Sequence, residues 1–228
     1  DLTSVYSRAM PHLASYGTWV SPLSAETVAT AGLRLGLVAL DGDDIYWLEG
    51  RPGEGGRNVL VRRTPDGTLT DVTPREMNVR SRVHEYGGGA YVVSRGIAYF
   101  SNFTDQRIYR LAPGAPPRPM TPPGEWFYAD FEVDTQRNRL ICVREDHTGP
   151  AEAVNTLVSI PLPSSAEDAA SSSGQIIASG YDFYSTPRLS PDGTRLAWLS
   201  WRHPNMPWDG TELWLADVAA SGALENLR

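Results

Sequence analysis

The stretch "RVHEYGGGAY", residues 82–91, combines residue types that could do three kinds of chemistry. His84 and Glu85 begin like a zinc-protease helix, and the three glycines that follow could surround a phosphate. A zinc helix needs a second His four residues after the first, but Gly88 occupies that position. A phosphate loop needs a Lys or a helix N-terminus beside its glycines, whereas an apolar β-like run follows here. We therefore predict that the glycines lie in a β-strand.

The elements around this stretch form a repeat. Four segments share one order: an apolar strand, a tight turn, an aromatic-rich strand, a third strand and a shorter fourth. The second strands, at Ile45, Ala98, Ile141 and Ala197, are 53, 43 and 56 residues apart. Blades of β-propellers recur about every 40–50 residues. We predict an all-β fold of four-stranded antiparallel propeller blades, about four in this chain and part of a larger propeller. A sandwich of unrelated hairpins is the alternative, but it does not explain the repeated order.

The repeat predicts the domain organisation. An N-terminal extension, residues 1–31, carries one short helix in "SPLSAETVAT", and residues 32–228 form the partial propeller. The blades are placed at residues 32–75, 84–122, 126–180 and 183–228, with a flexible insert at 163–174. Because four blades leave an exposed edge, we expect the missing partner to be more of the same protein.

Composition excludes several classes of function. The 228 residues carry 20 basic and 27 acidic side chains, a net charge of −7, which argues against nucleic-acid binding. A free amine or a cationic substrate suits this balance better. Cys142 is the single cysteine, so we expect a small buried hydrophobe rather than a disulfide. No signal peptide and no apolar run of about 20 residues is found, so we predict a cytoplasmic protein without membrane contact.

One rim of the propeller is predicted to be a recognition face. In a four-stranded blade, the loops between strands two and three and the connections between blades share one rim. That rim would carry Arg82, His84, Glu85, Trp126 and the loops at 144–155 and 201–210. These loops are longer, more aromatic and more acidic than the tight turns expected at the opposite rim.

Several motifs resemble a known family. "SRVHEYGGGAY", "LSPDGTRLAWLSW" and "HPNMPWDGTELWLADV" are similar to the N-terminal propeller of the prolyl oligopeptidase family of serine peptidases, in its dipeptidyl aminopeptidase/acylaminoacyl-peptidase branch. "YGTWVSPLSAE" and "YWLEGRPGEGGRNVLVRR" fit the same group, so the resemblance covers essentially the whole chain. It implies a seven- or eight-bladed propeller that caps an α/β-hydrolase domain with a Ser-Asp-His triad. The propeller would limit access to short peptides or aminoacyl compounds.

The chain lacks what that chemistry needs. It contains no G-x-S-x-G nucleophile elbow, so we expect the catalytic residues outside this chain. The hypothesis is then a substrate-gating propeller of a serine exopeptidase whose partners are the hydrolase domain and the remaining blades. The alternative is a stand-alone propeller that binds a protein or peptide. Metal-dependent hydrolysis has no supporting ligand cluster, and we expect neither a metal nor a cofactor.

The candidate substrate contacts follow from the need to hold a free ammonium group, for which a carboxylate is suited. Glu85 is the first candidate, with Arg82 and His84 beside it on the same rim. Its alternative role is that of a structural partner for Arg82 or for a neighbouring blade. Trp208 and Asp209 come second, on a loop that would face the hydrolase domain. Trp126 could wall a subsite, although packing between blades is the favoured reading.

The histidines are weaker candidates for chemistry. Asp146 and His147 could bind a metal or join a salt bridge, but a solvated loop is favoured. For His203 a structural hydrogen bond is expected.

Overall fold

The computed structural model of the chain describes residues 13–18, 23–26, 32–163 and 172–228. Two compact units are distinguished, Asp1–Gly32 and Leu33–Arg228. In the first, the Thr18 hydroxyl donates a 2.7 Å hydrogen bond to the Ser15 carbonyl and closes a turn. The helix predicted in "SPLSAETVAT" and the insert at 163–174 lie mostly outside the described residues.

The second unit is built from β-strands. One short 3-10 turn, Pro52–Glu54, follows the second strand. The strands are β1 (Arg34–Asp41), β2 (Asp44–Arg51), β3 (Arg57–Arg63), β4 (Leu69–Asp71), β5 (Tyr91–Ser94), β6 (Ile97–Ser101), β7 (Ile108–Leu111), β8 (Arg118–Pro119), β9 (Trp126–Asp134), β10 (Arg139–Asp146), β11 (Val154–Pro161), β12 (Gln175–Ala178), β13 (Phe183–Leu189), β14 (Arg195–Trp201), β15 (Thr211–Val218) and β16 (Leu224–Glu225).

The strands form four antiparallel sheets of four, each made from consecutive strands. We name them blade 1 (β1–β4), blade 2 (β5–β8), blade 3 (β9–β12) and blade 4 (β13–β16). The first strands contact one another in sequence, β1 with β5, β5 with β9 and β9 with β13. They are therefore the innermost strands. The predicted all-β fold of propeller blades is confirmed.

Each pair of neighbouring blades shares one hydrophobic cluster. Tyr46 and Phe100 belong to the cluster between blades 1 and 2. Tyr128 joins residues of blades 2 and 3, and Trp198 joins residues of blades 3 and 4. Fully burying one such large side chain stabilises the fold by about 1.5–3 kcal/mol. Strand β10 is buried on both faces because it lies in a middle blade, and its Cys142 is free and fully buried, as the sequence predicted.

In each of the first two blades, a threonine hydroxyl accepts a hydrogen bond from the third strand. The Leu60 amide donates a 3.1 Å hydrogen bond to the Thr73 hydroxyl, and the Ile108 amide donates a 3.1 Å bond to Thr121. In each blade the hydroxyl stands in for a backbone acceptor of the fourth strand. Both threonines precede a proline, which cannot donate to the ladder.

A chain of asparagines joins blades 1 and 2. The Asn78 carboxamide oxygen accepts from the Asn58 amide at 2.9 Å, and the Asn78 amide donates to Asn102 Oδ1 at 3.1 Å. Arg57, only 9% exposed, adds an ion pair with Glu54 and 3.1 Å bonds to the carbonyls of Pro74 and Met77. The connection between the two blades is thereby fixed by satisfied polar groups.

Asp130 ties three blades together near the axis. It lies in a bulge of β9 with a positive φ of 57°. Its carboxylate accepts hydrogen bonds from the Gly89 amide of the segment leading into blade 2, at 2.5 Å, and from Thr186 of blade 4, at 2.9 Å.

The glycines of the opening stretch precede β5, so their predicted placement inside a strand was wrong. The reason is that Asp130 takes both polar groups of Gly89: its carboxylate accepts from the amide, and its own amide donates to the Gly89 carbonyl at 2.7 Å. A Cβ on Gly89 would lie 2.9 Å from Asp130 Oδ1, which explains the need for glycine. Pairing with β6 begins only at Tyr91.

The outer faces of the two end blades carry exposed apolar side chains. In blade 1, Leu35, Val38 and Leu40 are at least 70% exposed, and in blade 4 Leu213 is 70% exposed. Among the described residues, no helix has the length and apolar character needed to cross a membrane.

Candidate functional site

A tight turn in front of blade 2 presents His84 and Glu85. Both have a positive φ, 56° and 68°, which is uncommon for residues with a side chain. The Gly87 amide closes the turn by donating to the Val83 carbonyl at 2.8 Å. Val83 is 1% exposed and packs into the cluster between blades 3 and 4. The turn therefore reaches across to those blades, and such local strain is often found at functional sites.

Glu145, near the end of β10, forms a hydrogen bond with this turn. Its carboxylate accepts a 2.7 Å hydrogen bond from the His84 amide, although the residue is only 7% exposed. Burial raises the pKa of Glu145 above its ordinary value, and the charge of Glu85 raises it further. His147 Nε2 lies 3.4 Å from Glu145 Oε1, which opposes that rise.

Aromatic rings form the neighbouring wall. The Phe183 and Trp201 rings stack with centroids 5.2 Å apart and an interplanar angle of 15°. The His84 ring meets both edge-on, at 5.3 and 5.4 Å. Burial lowers the pKa of His84 and so disfavours the charged imidazole, although the charge of Asp130 opposes this shift.

Two buried polar atoms in this wall are unsatisfied. Within the described part of the chain, neither His84 Nε2 nor Asn155 Oδ1 makes a hydrogen bond of ordinary geometry. A weak side-chain contact with Asn155 still raises the pKa of His84, because an oxygen acceptor favours the protonated imidazole. Buried polar groups without a partner are rare and often mark a functional site.

These residues line one cleft of about 730 Å³, which we call the acidic cleft. Four of its lining residues are acidic: Glu85, Glu145, Glu152 and Asp182. Among the residues that the structure describes, neither lysine nor arginine lines it. Carboxylates beside aromatic faces attract cations, both by direct charge and through the ring quadrupole.

The structure places the predicted site residues in different surroundings. His84 and Glu85 line the acidic cleft, where Glu85 is exposed. Arg82 lies with its guanidinium 4.5 Å from the centre of the Phe103 ring, and the described side chains include no ion pair between it and Glu85. Trp126 is half-buried and packs on the cluster between blades 2 and 3.

The loop at 201–210 is divided between the cleft and solvent. Trp201 and Met206 line the cleft, whereas Trp208 is 76% exposed. The carboxylate of Asp209 accepts a 3.0 Å hydrogen bond from the Met206 amide and so shapes the loop. The His203 amide donates to Asp182 Oδ2 at 2.9 Å.

Sequence reasoning missed Glu145, Asn155 and Phe183 as site residues. A signal for Glu145 was present, since the charged run Arg144-Glu145-Asp146 follows the apolar segment "LICV" of β10. The neighbouring Asp146 pairs with Arg144 at 3.6 Å. The described residues include no group of three or more His, Cys, Asp or Glu side chains placed to hold a metal ion.

Comparison with solved structures gives strong matches. A puromycin hydrolase is 38% identical over 94% of this chain, with a TM-score of 0.84. A puromycin-hydrolyzing peptidase of Mycobacterium tuberculosis is 36% identical over 94%, with a TM-score of 0.83. The chain belongs to the prolyl oligopeptidase family and forms part of its propeller. It spans 35% of the length of these two proteins.

A more distant comparison supports only the fold. Tricorn protease matches 83% of the chain at 14% identity with a TM-score of 0.50, which shows a shared fold alone. No protein-family model matches the sequence, and no curated protein matches it either.

Proposed function

We propose that this chain is the substrate-gating and substrate-orienting propeller part of a serine exopeptidase or amidase. Its substrates are short peptides or aminoacyl and acyl-aminoacyl compounds, and an α/β-hydrolase domain outside the chain carries out catalysis. The observation that carries the proposal is the acidic cleft, which places Glu85 and Glu145 beside the Phe183–Trp201 stack. The names of the matched structures, a hydrolase and a peptidase, support it.

In this proposal the two glutamates hold the free ammonium group of the substrate. Glu145 is the stronger partner because its burial weakens the screening of its charge by water. Glu85 lies exposed at the cleft and adds a weaker attraction. Burial lowers the pKa of His84, which disfavours a competing positive charge on its ring. A substrate with a free amine would be oriented by this contact before it meets the nucleophile.

The remaining predicted residues have secondary roles in the proposal. Trp208, which is largely exposed, is a candidate contact for the hydrolase domain, with Asp209 shaping its loop. Trp126 contributes packing between blades. The exposed apolar faces of blades 1 and 4 suit the docking of further blades. A cytoplasmic location and the lack of a cofactor stay predictions.

The test begins with the native protein that contains this chain. A fluorophosphonate probe, which labels activated serines, is added and the products are read by intact mass spectrometry. A labelled species heavier than the 25.0 kDa of this chain supports the proposal. A single unlabelled species of 25.0 kDa would overturn it and favour a stand-alone binding module.

The ammonium contact is tested by substrate modification. Aminoacyl p-nitroanilides with a free amine should be cleaved at least about tenfold more efficiently than their N-acetyl forms, as expected for the loss of a charge-assisted contact. Glu145→Gln should remove most of that preference, and Glu76→Gln, an exposed glutamate outside the cleft, should leave it intact.

A further inference from the structure

Two arginines next to the acidic cleft point away from the core. Along residues 79–83 burial alternates: Val79, Ser81 and Val83 are buried, whereas Arg80 and Arg82 are exposed. Both arginines therefore leave the chain on the same side. This places two positive charges on the segment that leads into the turn of His84 and Glu85.

Both guanidinium groups rest on one aromatic ring. They lie 4.8 Å (Arg80) and 4.5 Å (Arg82) from the centre of the Phe103 ring. Gln106, only 3% exposed, fixes this arrangement: its Oε1 accepts from the Arg82 amide at 2.8 Å, and its Nε2 donates to the Phe103 carbonyl at 2.9 Å. Among the described residues, neither arginine forms an ion pair. A stacked guanidinium without a counterion is pre-organised to bind an anion.

Arg82 also lines a second cleft, of about 570 Å³, which we call the arginine cleft. Arg107 lies beside it there. The carboxylate of Asp105 in the same cleft is already engaged by Asn102 Nδ2 at 3.0 Å and by the Tyr109 hydroxyl at 2.7 Å. Glu125, exposed in this cleft, pairs with neither arginine within the described part of the chain.

The two clefts share a wall. His147 lines both, with its ring centroid 4.3 Å from that of Phe127. Glu145 and Glu85 thus line one cleft and Arg82 and Arg107 line the other, with His147 common to both. A ligand that crosses this wall meets negative charge at one end and positive charge at the other.

We propose that Arg82, with Arg107 beside it, binds the carboxylate of a short peptide whose ammonium group is held in the acidic cleft. This inference rests on the proposed function and narrows its substrates to zwitterionic peptides of a few residues. The planar guanidinium of Arg82 can donate two parallel hydrogen bonds to a carboxylate, and its stacking on Phe103 restricts its motion beforehand.

The experiment compares trialanine with trialanine amide as substrates of the native protein that contains this chain. The two peptides share a free amine and differ only in the terminal carboxylate. We expect the amide to show about tenfold lower kcat/KM, from the loss of a charge-assisted contact. Arg82→Gln should lower kcat/KM for trialanine by a similar factor through KM and leave the amide unchanged.

Matched variants separate this contact from a general loss of charge. Arg75→Gln removes an exposed arginine outside both clefts and should keep the preference for the free acid. Arg82→Lys should restore part of it, since a lysine retains charge without the planar fork. The bond from Arg82 to Gln106 uses the backbone amide, so these variants should fold, which near-ultraviolet circular dichroism checks.

Two outcomes would overturn the inference. One is equal kcat/KM for trialanine and its amide in the wild type. The other is an Arg82→Gln variant that loses activity on both peptides alike, which would indicate a contact with an acidic segment of the hydrolase domain. Failure of the proposed ammonium contact looks different: N-acetyl-trialanine would then be cleaved as efficiently as trialanine. If no peptide were cleaved, the proposed function itself would be overturned.

Discussion

The junction between blades 1 and 2 and the acidic cleft use the same kinds of residue with opposite results. At the junction, the Asn78 side chain accepts from Asn58, its amide donates to Asn102, and Arg57 reaches an acid and two carbonyls. At the cleft, His84 Nε2 and Asn155 Oδ1 are buried without a hydrogen bond of ordinary geometry among the described residues.

We infer from this difference that polar groups at the junction serve the fold, whereas those that line the cleft remain available to a ligand. A polar group whose hydrogen bonds are all made inside the protein stabilises the fold and offers a ligand nothing. A buried group with spare bonding capacity costs stability until a ligand engages it. Four predictions test this division, from the largest expected effect to the smallest.

Arg57→Leu should have the largest effect on stability. The substitution removes the hydrogen bonds from Arg57 to the Pro74 and Met77 carbonyls and breaks the ion pair with Glu54. We expect the free energy of unfolding to fall by about 3 kcal/mol. Urea unfolding measures it, with Arg63→Leu, at an exposed position, as the control. Equal losses in both variants would contradict a structural role for the junction.

Glu145→Gln should weaken binding of a free amine by about tenfold without loss of stability. Because burial raises the pKa of Glu145, the folded state keeps the proton in a pH range where the unfolded chain has lost it. The contribution of this group to the free energy of unfolding therefore falls as the pH rises through that range. The Gln variant lacks this titration.

The measurement for Glu145 is urea unfolding and amine affinity at several pH values above 4.5, the ordinary glutamate pKa. Wild-type stability relative to the variant should decline with rising pH. Amine affinity of the wild type should decline with falling pH, since only the carboxylate attracts an ammonium group. A pH-independent difference between the two proteins would show that Glu145 does not titrate in this range.

Thr73→Val and Thr156→Val form a matched pair at two buried positions, each 2% exposed. The Thr73 hydroxyl accepts from Leu60, whereas the Thr156 hydroxyl has no hydrogen bond within the described residues. We expect Thr73→Val to lower the free energy of unfolding by about 1–2 kcal/mol and Thr156→Val to leave it unchanged or higher. A larger loss of unfolding free energy in Thr156→Val than in Thr73→Val would contradict the distinction between bonded and unbonded polar groups.

Glu85→Gln should have the smallest effect. Its carboxylate is exposed, so water and salt screen it. We expect amine affinity to weaken only about twofold, by less than 1 kcal/mol, and the difference to vanish in high salt. An effect larger than that of Glu145→Gln would reverse the assignment of the two glutamates.

Much of the blade architecture was predictable. The spacing of Ile45, Ala98, Ile141 and Ala197 placed four second strands correctly, since alternating apolar strands with tight turns are a local pattern. The apolar run around Cys142 predicted a buried strand for the same reason. The site was predicted only in part: His84 and Glu85 lie in the cleft, whereas Glu145 was missed.

The repeat of strands and turns follows from the amino-acid sequence, because neighbouring residues encode a strand and its turn. Which polar groups form hydrogen bonds with one another depends on the tertiary structure. The hydrogen bond from the Gly89 amide to Asp130 keeps this glycine outside β5. The Glu145 carboxylate accepts from the amide of His84, 61 residues away in the chain. Such contacts depend on how blades stack, and no local pattern records the distance between residues on different blades. The physical reason is that burial and charge act through space, whereas strand periodicity acts along the chain.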